Sequence, residues 1–223
     1  MTPGFRCIMP AMLEYDYVIW DWNGTILDDM WLALDVANGM LRRRGLPEMD
    51  AGRYREIFDF PVETYYRRAG FDFSAEPFSA LAKEFIGAFN ARIRECPLQT
   101  RAEEVVHTLQ RRGISQVVLS ASRETTLRDA VAHYGLHHYF DALHGLHDDL
   151  AVSKTQVGID LIARHGVEPK RAVMVGDTVH DAEVAREMGV DCLLVAAGHH
   201  SRARLETTGM PVYDALGELL PET

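Results

Sequence analysis

The sequence predicts an α/β fold in which a parallel β-sheet has helices on both faces and four further helices are inserted after the first strand. A short apolar, β-prone stretch at residues 17–20 ends at Asp21, which is typical of a buried strand. From Arg101 onward, apolar runs alternate with amphipathic segments, the pattern of parallel strands joined by right-handed helical crossovers. Residues 28–96, between these two parts, have helical periodicity and no convincing strand.

The inserted stretch contains four segments with helical spacing of apolar residues. Each segment starts at a residue type that often begins a helix: Asp28 or Asp29, Asp50, Pro61 and Ser74. Gly45, Gly70 and Pro97 are expected to end the first, third and fourth helices. We therefore predict a core domain made of residues 1–27 and 97–223, and a helical domain at 28–96.

The remainder of the chain supplies the other elements of the core. Further strands are predicted at residues 114–119, 139–143, 172–175 and 192–196. Helices are predicted at residues 102–112, 124–134, 155–165, 181–188, 201–207 and 214–220. This alternation favours a sheet that is covered on both faces.

Composition limits the classes of function. The formal net charge of −10 argues against nucleic acid or an anionic membrane as the main partner, although a local positive pocket could still bind a small anion. Cys7, Cys96 and Cys192 are far apart and lack metal-ligand spacing, which favours a reducing cytosol. No apolar run is long enough to span a bilayer, and residues 1–13 are interpreted as a loose extension without a signal-peptide pattern. We expect a cytoplasmic protein, either a monomer or a homodimer.

Acidic residues follow two of the predicted strands. Asp21 would be costly to bury at the end of its strand unless a cation or hydrogen-bond donors compensate its charge. An ordinary hairpin turn at Asn23-Gly24 is the alternative, but no second alternating strand follows it. Asp177 and Asp181 come after another strand, and carboxylates with oxygen-rich neighbours suit a hard cation such as Mg²⁺. A helix N-cap is the alternative role for Asp181.

Two further polar residues are candidates for an anion site. Ser120 ends an apolar strand, and its alternative role is that of an ordinary strand-end serine. Lys154 is one of only three lysines in a chain that otherwise uses arginine, and a compact ammonium group can hold two anionic groups together. A solvated surface lysine is the alternative.

The segments Asp21-Trp22-Asn23-Gly24-Thr25, 117–120, Lys154 and 173–181 resemble, in order, the four motifs of the haloacid dehalogenase superfamily. The resemblance covers nearly the whole chain from about Tyr15 and is closest to the phosphoglycolate phosphatase-like branch. It implies a Rossmann-like core with a helical cap domain. It also implies a Mg²⁺-dependent phosphohydrolase that cleaves a small phosphorylated metabolite through an aspartyl-phosphate intermediate.

The resemblance also implies roles for individual residues. It assigns Asp21 as the nucleophile, with Asn23, Ser120 and Lys154 as the other catalytic positions. The phosphate-binding positions it implies are Gly24, Thr25, Ser120, the backbone of Ala121, and Lys154. The metal positions it implies are Asp21, the backbone carbonyl of Asn23, Asp177 and Asp181. His180 is interpreted as a loop or neighbouring residue, because imidazole is a poor ligand for Mg²⁺.

Asn23 departs from the phosphatase pattern, in which this position is usually a second Asp that acts as general acid and base. An amide cannot donate a proton in that way, and general acid–base catalysis is worth about 10²–10⁴-fold in rate. The alternative function is therefore a phosphate- and metal-binding protein with little catalysis. Phosphonoacetaldehyde hydrolases have a similar first motif, but they need a lysine that residues 57–66 lack.

Contacts with the rest of a substrate are harder to assign. Residues 58–61 and Arg67-Arg68 are candidates within the inserted helices, with a solvated helix face and core aromatics as the alternative. The histidines at 133, 137, 138, 144 and 147 are dense enough to raise the question of a metal site, but we interpret them as surface residues.

Overall fold

The computed structural model describes residues 11–146 and 153–221. Most of the predicted N-terminal extension, and His147, lie outside this range. Among the described residues, no helix is long and apolar enough to cross a membrane.

Within residues 11–146 and 153–221, six strands form one sheet in the order β3-β2-β1-β4-β5-β6, and every neighbouring pair is parallel. The strands are β1 Tyr17–Trp20, β2 Ser115–Arg123, β3 Ala142–Leu146, β4 Ala172–Gly176, β5 Asp191–Val195 and β6 Val212–Tyr213. From β1 the chain builds the sheet first in one direction and then in the other, so the strand order reverses beside β1. Ligands of open α/β sheets bind at such a point, outside the carboxyl ends of the strands.

Nine α-helices are found in the described part of the chain. They are α1 Met30–Arg43, α2 Ala51–Ile57, α3 Val62–Ala69, α4 Phe78–Arg92, α5 Ala102–Arg111, α6 Glu124–His133, α7 Lys154–His165, α8 Val179–Met188 and α9 Arg202–Glu206. The first four all lie between β1 and α5, as the helical periodicity predicted. The parallel sheet with its helices confirms the predicted fold class.

The sheet is buried on both faces because side chains alternate along each strand. Val18 and Trp20 of β1 join one apolar cluster, which includes residues of α1, α5 and α6. Ile19 joins the other cluster, which includes residues of α7 and α8. All three side chains are fully buried, which explains why β1 is a continuous apolar run in the sequence.

The two connections that lead into and out of the four inserted helices lie side by side. The N–H of Asp28 donates to the carbonyl of Pro97 at 2.9 Å, and the N–H of Gln99 donates to the carbonyl of Ile26 at 2.8 Å. These are the positions at which the sequence predicts the domain boundaries. The division into a core and a helical cap domain stays a prediction.

Several element boundaries differ from the predicted ones, and the largest differences concern the third strand, the fourth helix and the C-terminal residues. The third strand begins at Ala142, because residues 137–139 form a 3₁₀ turn. Helix α4 begins at Phe78, since Ser74 instead closes a turn by donating from its N–H and hydroxyl to Asp72. Residues 212–213 pair with β5 as a short edge strand, and only a 3₁₀ turn follows where a C-terminal helix was expected.

Candidate active site

The polar candidates meet at the carboxyl edge of the sheet. Asp21 directly follows β1, Ser120 lies in the second half of β2, and Asp177 directly follows β4. Lys154 is the first residue of α7, whose start is fixed by Ser153, which caps the helix by accepting the N–H of Gln156. Because parallel strands end at the same edge, residues far apart in sequence converge here.

A buried lysine links two of the acids. The Lys154 ammonium donates to Oδ1 of Asp21 and to Oδ1 of Asp181, the second at 2.6 Å, and its side chain is only 4% exposed. Burial alone would lower the pKa of Lys154, but the carboxylates of Asp181 and Asp21 raise it above its usual value. The lysine therefore stays charged and compensates the buried acids.

Asp177 lies behind these groups and is completely buried. Its carboxylate accepts the hydroxyl of Thr25 at 2.9 Å and the backbone N–H of His199 at 2.6 Å. Burial raises the pKa of Asp177 to about 6. A Cβ placed at Gly24 or Gly198 would collide with this carboxylate, so both glycines permit a close approach of the backbone.

Three carboxylates form a group that suits a metal ion. Asp21, Asp177 and Asp181 each offer an oxygen, and these oxygens lie within 4.8 Å of one another. Burial raises the pKa of Asp21 well above its usual value, and the two other carboxylates raise it further against the opposing effect of Lys154. Three buried acids facing one lysine leave excess negative charge, and their oxygens are the ligands that Mg²⁺ prefers. The residues present therefore fit a hard divalent cation.

Asp181 also helps to fix the start of α8. It is not itself the N-cap residue, which was the alternative role considered from sequence. The N-cap of α8 is Thr178, whose hydroxyl accepts the N–H of Asp181 at 3.2 Å. Oδ2 of Asp181 accepts in return from the N–H and hydroxyl of Thr178, which completes a capping box. Burial raises the pKa of Asp181, but Lys154 and Thr178 together hold it below its usual value. This carboxylate is therefore fixed in place and ionised.

Asn23 is held by two hydrogen bonds that define the orientation of its amide. Nδ2 donates to Oδ2 of Asp29 at 2.7 Å, and Oδ1 accepts the hydroxyl of Ser122 at 2.8 Å. Oδ1 of Asp29 accepts the N–H of Gly24 at 2.6 Å. Asp29 precedes α1 as predicted, but its side chain makes no capping bond and turns back to the site instead. The sequence pattern did not indicate this role of Asp29.

His199 is a second group that sequence reasoning missed. Its Nε2 lies 3.4 Å from Oδ1 of Asp29, and its Nδ1 lies 2.9 Å from the hydroxyl of Tyr54. Burial would lower the pKa of His199, but the nearby carboxylates of Asp29, Asp177 and Asp21 raise it to about 9. A charged imidazolium therefore lies beside the Asn23–Asp29 pair. The sequence feature that could have indicated His199 is its position just after β5, because parallel strands end at the same edge of the sheet.

A cavity of about 500 Å³ opens onto this group. Its core side includes Asp21, Asn23, Ser120, Ala121 and Lys154, all of them predicted site residues. Ser120 Oγ accepts the N–H of Ser122 at 3.0 Å, which leaves its hydroxyl hydrogen free of that bond. Gly24, Thr25 and Asp177, three further predicted residues, do not line the cavity and lie behind the lining carboxylates instead.

The inserted helices provide the opposite side of the cavity. Phe58 and Phe60 line it, as the sequence analysis considered. Arg67 and Arg68 do not line it, because they pair with Glu63 at 2.8 Å and Asp59 at 3.0 Å. His180 does line the cavity, where its ring stacks on Phe60 at 4.7 Å. The described histidines among the dense group considered above do not line it: His133, His137, His138 and His144.

The fold and the site together define a class of protein: an α/β protein with a buried carboxylate–lysine pair at the carboxyl edge of a parallel sheet. The model of the family described as haloacid dehalogenase-like hydrolase matches residues 18–195. The chain belongs to this family, which confirms the resemblance drawn from its four motifs.

The individual relatives differ from this chain at most sequence positions. A phosphoglycolate phosphatase of Caulobacter vibrioides is 31% identical over 203 residues, covering 86% of this chain and 83% of the relative. A 5'-nucleotidase of Pseudomonas aeruginosa is 25% identical over 202 residues, with 87% and 89% covered. The crystal structure of a predicted phosphatase from Clostridium acetobutylicum superimposes with a TM-score of 0.79 at 21% identity, covering 92% and 96% of the two chains, which shows the shared fold.

Proposed function

We propose that this chain is a Mg²⁺-dependent phosphohydrolase that cleaves a phosphate monoester through an aspartyl-phosphate on Asp21. The observation that carries the proposal is the buried Asp21 carboxylate, held by Lys154 at the mouth of a cavity beside two further acids. The names of the relatives, which include phosphatases and a nucleotidase, support the same class of reaction. The substrate is then a small phosphorylated metabolite.

The first chemical step forms a covalent intermediate. A carboxylate oxygen of Asp21 attacks phosphorus, while the bond between phosphorus and the alcohol oxygen breaks and the departing alkoxide takes up a proton from solvent water. Lys154 holds the nucleophile in place and neutralises the phosphoryl oxygens. The hydroxyl of Ser120 and the N–H of Ala121 donate to the same oxygens, and one such donor is worth roughly 10²–10³ in rate.

The second step regenerates the enzyme. Water attacks phosphorus, the acyl-phosphate bond breaks, and the Asp21 carboxylate and inorganic phosphate are released. Mg²⁺, when bound by Asp21, Asp177, Asp181 and the carbonyl of Asn23, supplies positive charge that neutralises the phosphoryl group. Gly24 and Thr25 support this arrangement by shaping the backbone and by donating to Asp177.

The test is hydrolysis of a panel of phosphate esters by the purified chain, with Mg²⁺ and with EDTA. We expect metal-dependent release of phosphate that is abolished in Asp21→Asn. Asp160→Asn is a matched control, since Asp160 is an acid on the outer part of α7 that pairs with Arg164. Metal-dependent activity that survives in Asp21→Asn would show that the assignment is wrong.

A second candidate is a phosphate- and metal-binding protein with little turnover. It is favoured by Asn23, whose amide is fixed between Asp29 and Ser122 and cannot act as a proton donor to an alkoxide. Under this function, phosphate with Mg²⁺ would raise the melting temperature while turnover stayed at background. Robust hydrolysis of any physiological phosphate ester removes it.

A further inference from the structure

The side of the cavity that faces the proposed nucleophile is built from aromatic rings. We call this surface the aromatic wall, and its members are Tyr54, Phe58, Phe60, Phe85 and Phe89. The rings of Phe85 and Phe89 lie one turn apart on α4 and are stacked, with centroids 5.6 Å apart and planes 13° apart. Tyr54 and Phe58 stack in the same way at 5.2 Å and 18°. The wall therefore consists of rings whose positions are fixed by contacts with one another.

Part of this surface stays accessible in the folded chain. Phe85 and Phe89 are only partly buried, and Ile86, which also lines the cavity, is 41% exposed. Aromatic and aliphatic groups that border an open cavity are the usual lining of a site for a largely apolar ligand group. The space itself, about 500 Å³, lies in the range of roughly 300–1,000 Å³ found for pockets that hold drug-sized ligands.

Positive charge on the lining comes from the core side. Lys154 and Arg123 line the cavity there, whereas the described lining residues of α1, α2 and α4 include no lysine or arginine. Arg44, the residue after α1, is directed elsewhere and pairs with Glu76 and Glu84. An acidic alcohol such as glycolate would thus meet rings, not a cation, on the side formed by the inserted helices.

Further polar groups line the cavity beyond the residues proposed to bind phosphate. Asn90 follows the ring pair on α4, and Thr125 and Thr126 lie opposite it on α6. A small number of such groups is what fixes the orientation of a ligand in an otherwise apolar pocket. The side chains of Asn90, Thr125 and Thr126 suit a ligand ring that carries one or two hydrogen-bonding atoms.

We propose, on the basis of the proposed function, that the substrate is a phosphate monoester whose alcohol part carries a planar aromatic ring. The phosphoryl group lies at Asp21 and Lys154, and the ring packs against the aromatic wall beside Phe85 and Phe89. Offset and edge-to-face ring contacts of this kind add to the gain from burying apolar surface. Substrate selection by this chain thus favours ring-bearing alcohols over short, charged ones.

The experiment compares ethyl phosphate with 2-phenylethyl phosphate. Both leave as primary alkoxides, so the chemical step is matched and the ring is the difference. Burying roughly 100 Å² of ring surface predicts a kcat/KM about 50-fold higher for the phenylethyl ester. Phe85→Ala and Phe89→Ala should each reduce this ratio by about 3- to 10-fold.

Phe73→Ala is the matched control, because Phe73 packs on Arg67 at 4.3 Å and on Phe78, away from the cavity. It should leave the ratio unchanged, and circular dichroism should show that all three variants are folded. Turnover of both esters at a ratio near one would overturn the ring proposal while the phosphohydrolase assignment stands. If neither ester is hydrolysed although an aryl phosphate is, calorimetric binding of the two esters with Mg²⁺ decides the ring proposal by the same ratio. Failure to hydrolyse any ester of the panel, aryl phosphates included, removes the assignment of activity.

Discussion

Replacing Asn23 with aspartate tests how the absence of the usual second acid affects the stability and the hydrolysis rate of this chain. The amide of Asn23 donates to Asp29 at 2.7 Å, so Asn23→Asp would bring two carboxylate oxygens to that separation in a largely buried site. Two such groups cannot both stay ionised, and the pair would retain one proton. The variant would thus create a protonated carboxyl group two residues from the proposed nucleophile.

The energetic cost has an upper limit because protonation relieves the repulsion. Holding one proton at pH 7 on a group with an ordinary pKa of about 3.9 costs at most about 4 kcal/mol. The folded-state pKa of the pair is raised, so the folded state binds more protons than the unfolded state between pH 4 and 7. The free energy of unfolding should therefore fall relative to the wild type as pH rises from 4 to 7, and the difference should vanish near pH 4.

Activity should change in a way that depends on the leaving group. A carboxylic acid can protonate a departing alkoxide, and general acid catalysis is worth about 10²–10⁴-fold, so hydrolysis of an alkyl phosphate should rise by at least about 10-fold. An aryl phosphate leaves without that proton and should change little. The assay compares one ester of each kind at saturating Mg²⁺, using fresh protein, because deamidation at Asn23-Gly24 would itself create the acid.

The exchanged variant Asn23→Asp/Asp29→Asn is the matched control. It restores a pair of one amide and one carboxylate with the original net charge, so it should recover at least half of the lost stability at pH 7. Equal stability of Asn23→Asp and wild type across pH 4–7 would refute the claim that the two side chains share one buried contact. Equal effects on alkyl and aryl esters would show that position 23 has no acid–base role.

Three further changes probe the charges around the site. Lys154→Met leaves two buried carboxylates without their cation, so urea unfolding in EDTA should show a loss of about 3–5 kcal/mol that Mg²⁺ partly recovers. The pKa of His199 is raised to about 9, so the protonated imidazole stabilises the folded state. This contribution, about 3 kcal/mol, is complete below pH 6.5 and is lost as pH rises through about 9. His199→Gln should therefore remove this pH dependence of the free energy of unfolding in EDTA. Gly198→Ala pushes a methyl group into the Asp177 carboxylate, so calorimetry should show at least about 10-fold weaker Mg²⁺ binding with the fold retained.

Each of these changes has a control and a contradicting result. Lys170→Met removes an exposed lysine and should leave stability unchanged; an equal loss there would show that the effect is not specific to the site. A His199→Gln stability curve parallel to that of the wild type would exclude the raised pKa. Gly87→Ala adds a methyl group on α4 with nothing within 4 Å, and weaker Mg²⁺ binding in this variant as well would contradict the proposed collision at Asp177.

The sequence by itself determined the fold class and most of the candidate site. Strands β1 and β4 are apolar runs because both faces of the sheet are covered, and the site acids directly follow them. Local patterns of this kind depend on neighbouring residues alone. For that reason the helices of the inserted stretch, the cap at Asp50 and the order of the four motifs could be predicted without coordinates.

Only the tertiary structure decided which side chains surround those acids. Asp29 has the position of a helix cap in sequence, yet its carboxylate binds Asn23 and lies beside His199, which follows β5 much later in the chain. Arg67 has the positive charge expected of a contact with an anionic substrate, but it pairs with Glu63 on its own helix. The contact between Asp29 and His199 joins residues distant in sequence, and no local period or motif encodes it. The Glu63–Arg67 pair is a local i,i+4 contact, but which of its possible partners Arg67 takes was settled only when the inserted helices packed together.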